Sequence, residues 1–310
     1  MPDLPDLFWD RLERIIPSEH LSSVKLSFSS PSPVSVRVNT LKADKELIVR
    51  ALLARGIQLQ EVAWNKDACI LKNFESEVGK KLPELEDGTL YRQGLSSMLP
   101  PVVLQPLPGD RVLDLCAAPG SKTTQMAAMM KNEGTIVAVE AIRNRFYKLK
   151  SVVTQSGTGI IEFKVMDGRK FRTAELFDKI LVDAPCSSEG RFKTFDKKSF
   201  LYWSPRKIKE MMHKQRGLLL AASRLLKEGG TLLYSTCSFA PEENEGVVDW
   251  FLRKSGGGIR LVSIETPGVK TYPALTEWGE RTYSPEVSKC FRVLPDEAME
   301  GFFMAKFIRD

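Results

Sequence analysis

Two cysteines in this chain of 310 residues stand where a thiol could act as a nucleophile. Cys186 follows the apolar run KILVD (179–183) in Asp183-Ala184-Pro185-Cys186-Ser187, and Cys237 follows the run ending in Ser235-Thr236-Cys237-Ser238. Such runs read as buried strands, so each cysteine sits just past a strand end. A free thiol has a pKa of about 8.5 and attacks as the thiolate, which a nearby cation such as Lys122 would favour. One cysteine in such a place is most simply a small buried hydrophobe, as Cys69 and Cys290 read; two at neighbouring strand ends are harder to explain as packing alone. The five cysteines contain no CxxC pair, and His20 and His213 are the only histidines. Zinc sites, disulfide frameworks and histidine-activated hydrolases are therefore not indicated. No metal is expected, and free thiols fit a reducing, cytoplasmic compartment.

Three other strand ends offer a different chemistry. The first reads Asp114-Leu115-Cys116-Ala117-Ala118-Pro119-Gly120-Ser121-Lys122-Thr123. Its small residues let backbone approach a ligand, and the helix after it presents its amino end there. A phosphate-binding Walker loop needs glycine where Cys116 and Ser121 stand, and no GxGxxG occurs. The second strand ends in Glu140, an acid suited to accept from two ribose hydroxyls. The third ends Met166-Asp167-Gly168, placing Asp167 for an adenine amino group. Each alone is an ordinary turn, but three in succession point to a nucleoside. Enzymes that methylate amino nitrogens put Pro-Pro-aromatic after the fourth-strand acid; Cys186 holds the aromatic place here, which favours carbon over nitrogen as the acceptor.

The elements that must carry these residues follow from periodicity. Asp3–Ile16 reads as an amphipathic helix, Val34–Asn39 as a strand, Asp44–Arg55 as a helix ended by Gly56, and Ile57–Trp64 and Ala68–Leu71 as strands. This is a small α+β unit, and the prolines from Leu99-Pro100-Pro101 to Pro108 mark the approach to a second one. From residue 110 strands alternate with helices: Arg111–Cys116, Ser121–Met130, Thr135–Glu140, Gly159–Met166, Lys179–Asp183, a long helix Pro205–Lys227 broken by Gly229-Gly230, then Thr231–Ser235, Glu242–Lys254, Ile259–Ile264 and Phe302–Ile308. That alternation predicts an α/β, doubly wound, mostly parallel sheet, with ligands beyond the carboxyl ends of its strands.

Composition sets the remaining bounds. Hydrophobic residues at 43% and charged residues at 27% exclude disordered and collagen-like chains. No apolar run approaches the ~18 residues of a membrane span, and Asp3, Asp6 and Asp10 without lysine or arginine argue against a targeting peptide. The net charge is +6. Residues 191–216 carry nine lysines and arginines against Asp196 and Glu210, so the whole excess can be placed there. Phe192, Phe195, Phe200, Tyr202 and Trp203 interleave with those charges, as in segments that track phosphates and stack on bases. A solvated loop anchored by its aromatics would read the same way.

DLCAAPGSKT (114–123), DAPCS (183–187) and STCSF (235–239), in this order, resemble the Sun/Fmu family of RNA cytosine-5 methyltransferases, as do RVNTLK (37–42), YRQGLSSMLPP (91–101) and FFMAKF (302–307). The resemblance implies a Rossmann-like methyltransferase domain over 96–310 after a small α+β RNA-binding domain over 1–95. It implies S-adenosylmethionine at Cys116, Ala117, Ala118, Pro119, Gly120, Ser121, Lys122, Glu140, Asp167 and Asp183. By motif match Cys237 is the nucleophile, Cys186 assists release, and Lys122 and Asp183 surround the base. The family loop more often reads Gly-Gly-Lys than Gly120-Ser121-Lys122, and many members carry an appended RNA-binding domain, which is not expected here. A monomer acting on RNA is expected, tRNA ahead of ribosomal RNA, with no membrane partner. A non-catalytic RNA-binding or assembly factor would be expected to have lost Cys237, Asp183 or the 114–123 loop, and all three are intact.

Overall fold

The computed structural model describes residues 4–74 and 82–310. The chain opens with two helices, α1 (Asp6–Ile15) and α2 (Ser18–Ser29). Pro5 and Pro17 stand at their amino ends, where a missing N–H costs nothing. The single helix expected from Asp3 is therefore shorter and followed by a second one; its first residue lies outside the described residues. α1 buries Phe8, Leu12 and Ile15 on one stripe. Phe8 meets Phe28 of α2 at 5.5 Å between ring centres, and Phe192 and Trp203 of the basic segment at 5.3 and 5.7 Å. The first helices thus pack on the second half of the chain.

An antiparallel sheet comes next: β1 (Val34–Val38), α3 (Lys45–Ala54), β2 (Leu59–Glu61), β3 (Ala68–Leu71), α4 (Pro83–Glu86) and β4 (Leu90–Arg92), in the order β2-β3-β1-β4. Asp44 caps α3 by accepting from the amides of Glu46 and Leu47. Central β1 is buried throughout, and its Arg37 reaches Gln93 Oε1 at 3.2 Å and Thr124 Oγ1 at 3.1 Å. That buried guanidinium fastens this sheet to the helix that follows the first motif.

Where the prolines mark the approach to the second unit, the chain forms α5 (Leu95–Leu104), with Pro100 and Pro101 inside it. Pro101 cannot donate to the carbonyl of Ser97, which accepts from Gln93 Nε2 instead at 3.1 Å. The helix survives because a side chain replaces the lost bond and its apolar residues are buried nearly all round.

The main sheet is built from β5 (Arg111–Asp114), α6 (Ser121–Met129), β6 (Thr135–Glu140), α7 (Arg143–Ser156), β7 (Ile161–Val165), β8 (Phe177–Asp183), α8 (Pro205–Ser223), β9 (Leu226–Thr236), α9 (Glu245–Lys254) and β10 (Ile259–Val262). It continues in β11 (Thr271–Tyr272), β14 (Phe291–Val293) and β15 (Phe302–Arg309), while β12 (Glu277–Trp278) and β13 (Arg281–Thr282) form a separate ribbon. The order is β11-β14-β15-β9-β8-β5-β6-β7, with β10 also on β15. β7-β6-β5-β8-β9 run parallel; β15 and the strands beyond it are antiparallel. The chain winds from β5 outward to β7, then crosses to β8 on the other side, so the order switches between β5 and β8. α8 ends at Ser223, four residues early, and β9 starts at Leu226, paired with Phe177 across an irregular register. Gly229 at φ +71° bends that strand rather than preceding it. No helix among the described residues is long and apolar enough to cross a membrane.

One buried ion pair joins the antiparallel edge to α9. Arg292 of β14 is 1% exposed and grips both oxygens of Glu245 at 2.5 Å each, while its remaining nitrogen donates to Tyr272 Oη and the carbonyl of Phe239. Arg292→Met is expected to leave Glu245 charged and unpaired, costing about 3–5 kcal/mol. Urea unfolding measures it; a loss under 1 kcal/mol would mean that water or another cation reaches Glu245.

Candidate active site

The motif after β5 curls back so that Gly120, at φ +109°, leads into α6. A side chain there would sit in a strained backbone region and press on Leu149 and Val152 of α7 at 3.1–3.3 Å. Glu140, at the end of β6 and 3% exposed, accepts from the amides of Ala118 at 3.3 Å and Ile142 at 2.9 Å. Arg145 stands 3.5 Å from Glu140 and donates to the carbonyl of Ala118. The second strand end therefore braces the first. Asp167, past β7, is held below the usual carboxylate range chiefly by the side chain of Arg169, which grips both its oxygens. These acids end a slot of about 240 Å³ walled by Leu115, Ile142, Pro185 and Leu218.

A second hollow of about 310 Å³ shares Cys116, Arg145 and Pro185 with the slot and contains Lys122, Asp183, Cys186 and Cys237. Asp183 ends β8, opposite Ser235 of β9 in the parallel register. Ser235 Oγ donates to Asp183 Oδ1 at 2.7 Å, and Lys122 Nζ donates to Oδ2 at 2.7 Å and to Ser97 Oγ at 3.0 Å. Asp183 is thus fixed by two neighbours and keeps an exposed edge toward the hollow.

The two thiols meet. Cys186 Sγ and Cys237 Sγ are 3.3 Å apart. The hydrogen bond between them lowers the Cys237 thiol below its ordinary value, with the charge of Arg191 adding to this against burial. The same bond and burial push Cys186 well up. Cys116 is also raised, by burial and then the charge of Asp114, so it stays a neutral wall of the slot. Asp114, which accepts from Thr123 Oγ1 at 2.7 Å, is pushed up to about 7 by burial.

The sequence reading put Lys122 beside the reactive thiol. Its ammonium is engaged by Asp183 and Ser97 instead, and the cation acting on Cys237 is Arg191, whose Nε lies 3.8 Å from Glu300 Oε2. In the sequence Arg191 counts only as part of the basic segment, and its place five residues after Cys186 is the available signal. Ser97 and Ser235 had none beyond their motifs, since the contacts that use them cross between elements.

The basic segment is divided. Phe192 and Phe200 are buried, and Trp203 packs beside them, so these anchor the loop. Lys193 donates to the carbonyls of Ser27 and Ser30, and Lys207 and Lys214 pair with Glu210. Lys197, Lys198, Arg206 and Lys209 are exposed, beside Phe195 at 52% and Tyr202 at 82% exposure.

The family model described as 16S rRNA methyltransferase RsmB/F matches residues 101–308, and the ferredoxin-like domain of RsmF/B-like methyltransferases matches 4–76. The chain belongs to the RsmB/F methyltransferase family. Within it, a tRNA (cytosine(49)-C(5))-methyltransferase of Pyrococcus abyssi is 42% identical over 282 residues, covering 89% of this chain and 88% of that one. Ribosomal RNA small subunit methyltransferase F of Pectobacterium carotovorum is 36% identical over 98% of this chain, which spans only 62% of that relative's length. A solved methyltransferase homologue from Pyrococcus horikoshii is 31% identical with a TM-score of 0.82, covering 99% of this chain and all of that one. NSun6 from Pyrococcus horikoshii, solved with SFG, has a TM-score of 0.83 at 22% identity over 99% of both chains and shows the shared fold.

Proposed function

We propose that the chain methylates carbon 5 of cytosine in structured RNA, with tRNA as the substrate and S-adenosylmethionine as the methyl source. The observation that carries this is the thiol pair: Cys237 lowered and Cys186 raised, 3.3 Å apart, beside the Lys122–Asp183 pair. The tRNA reading is supported by the greater identity and fuller coverage of the Pyrococcus abyssi relative; ribosomal RNA is the second reading.

An apolar slot ended by carboxylates fits a nucleoside, so Cys116–Lys122, Glu140, Asp167 and Asp183 would hold S-adenosylmethionine. When bound, it supplies an electrophilic methyl group on a positive sulfur. Carbon 5 of cytosine is a poor nucleophile on its own. Cys237 as thiolate adds to carbon 6, and the displaced ring electrons make carbon 5 nucleophilic. Asp183, fixed by Lys122 and Ser235, hydrogen-bonds the base edge and steadies charge as the adduct forms. Cys186, the less acidic thiol, stands where it can take part as the carbon-5 proton leaves and Cys237 is expelled.

On this reading residues 1–95 bind RNA and 96–310 catalyse, with Arg37 linking the two and α1 and α2 supporting the basic segment. Incubating the purified chain with methyl-labelled S-adenosylmethionine and RNA should place label in tRNA as 5-methylcytidine. Label confined to ribosomal RNA would reassign the substrate, and none in either would reject the activity.

Glu140→Ala should weaken S-adenosylmethionine binding by about 1.5–3 kcal/mol, roughly ten- to a hundredfold. Calorimetry showing unchanged affinity would remove Glu140 from the site. Lys197→Ala with Lys198→Ala should weaken RNA binding and flatten its salt dependence by up to about 0.7–0.9 log units per lost contact. Unchanged affinity and slope would make the segment a solvated loop.

A further inference from the structure

Behind the two cysteines lies a cluster that the chemistry above does not use. Glu189 and Glu243 are 2% and 0% exposed, and among the described residues neither forms an ion pair with a lysine, arginine or histidine. Glu243 accepts from the amide of Ser187 at 3.0 Å, the residue after Cys186. Glu189 accepts from the amide of Phe239 at 3.0 Å, two residues after Cys237. Each carboxyl group therefore grips the loop of one cysteine. The hydroxyl of Ser238 stands between them, 3.1 Å from Glu189 Oε2, 2.9 Å from Glu243 Oε1 and 2.8 Å from Ser187 Oγ.

The protons at this junction can be counted. Ser238 Oγ also accepts from the amide of Ala240 at 3.0 Å, so its own hydrogen serves one carboxyl oxygen and one lone pair is left. That lone pair is open to the Ser187 hydroxyl or to a protonated second carboxyl group, and only the latter bonds both carboxyl groups to Ser238. Two carboxylates this close, both out of water, also resist carrying two charges.

We propose that Glu189 and Glu243 share one proton through Ser238, and that this bridge is the positioning device holding the Cys186 and Cys237 loops against each other. Other contacts serve the same end. Gln215 Nε2 spans Pro185 O at 2.9 Å and Glu243 Oε2 at 2.7 Å, and the amide of Gly190 donates to Cys237 O at 2.9 Å. Burial, then the charge of Glu189, pushes Glu243 up to about 7, and burial raises Glu189. Trp203 Nε1 donates to Glu189, Arg11 of α1 and Glu242 bear on it with opposite signs, and Cys186 and Tyr234 face Glu243. With both groups raised, the shared proton is present at low pH and lost as pH climbs past neutrality, leaving two negative charges about one hydroxyl.

The positioning role rests on the methyltransferase reading; the shared proton does not, and the test separates them. Infrared difference spectra between wild type and Glu243→Gln, and between wild type and Glu189→Gln, should show a protonated carboxylic acid lost in each variant. No such band in either difference, with melting temperatures confirming that the variants fold, would overturn the bridge. In methyl transfer, Glu243→Ala should lower kcat about 10²-fold with KM unchanged, and Glu243→Gln, which mimics the protonated acid, should recover most of that. The alkaline fall in wild-type kcat should be absent from both Gln variants. Identical pH profiles in wild type and Gln variants would reject the positioning role. Wild type that carries the acid band but transfers no methyl would reject the function and keep the bridge.

Discussion

Cys237→Ala is expected to form no covalent RNA adduct, whereas Cys186→Ala should methylate once and remain attached, giving a denaturation-resistant band on a gel. The asymmetry follows from the pair itself. The thiol bond stabilises one sulfur as thiolate and makes the other its donor, and the charge of Arg191 favours the Cys237 thiolate. At neutral pH the thiolate fraction decides which sulfur adds to the ring. Removing Cys237 removes the attacking atom; removing Cys186 leaves attack possible but hinders expulsion. The reverse pattern would transfer attack to Cys186.

The second large effect is expected at Asp183. Asp183→Asn should reduce single-turnover methyl transfer by about 10²–10³-fold, comparable to the removal of one preorganised electrostatic partner. The amide keeps the shape of the carboxylate but not its charge, so Lys122, whose side chain is 10% exposed, loses its counter-ion as well. The loss should fall on kcat more than on cofactor affinity, because Glu140 and the 116–122 loop remain. Rapid-quench measurement with calorimetry separates the two, and kcat within twofold of wild type would show that Asp183 does not steady the base.

Much of this architecture was legible because buried parallel strands are nearly continuous apolar runs, and each ends on a residue whose type is informative. Asp114, Glu140, Asp167 and Asp183 were all placed that way. What escaped was set by packing. α7 buries only Leu149, Val153 and Ser156, so its amphipathic signal is faint. α5 was hidden by Pro100 and Pro101, and the bond lost at Pro101 is made good by a glutamine outside the helix. The site's lateral pairs escaped too: Lys122 meets Asp183 across 61 positions and Cys186 meets Cys237 across 51, distances bridged only by the crossover of the sheet. Arg191 could be counted as charge in the sequence, but its nearness to Cys237 depends on the loop that α1 and α2 hold in place.

Bisulfite sequencing of RNA from cells with and without this chain tests the central claim most directly, since 5-methylcytosine resists the deamination that converts cytosine. One or a few tRNA cytosines should be protected in wild-type cells and converted in the deletion strain, with protection restored by the wild-type chain but not by Cys237→Ala. An identical protection pattern in both strains, across tRNA and ribosomal RNA, would contradict the account.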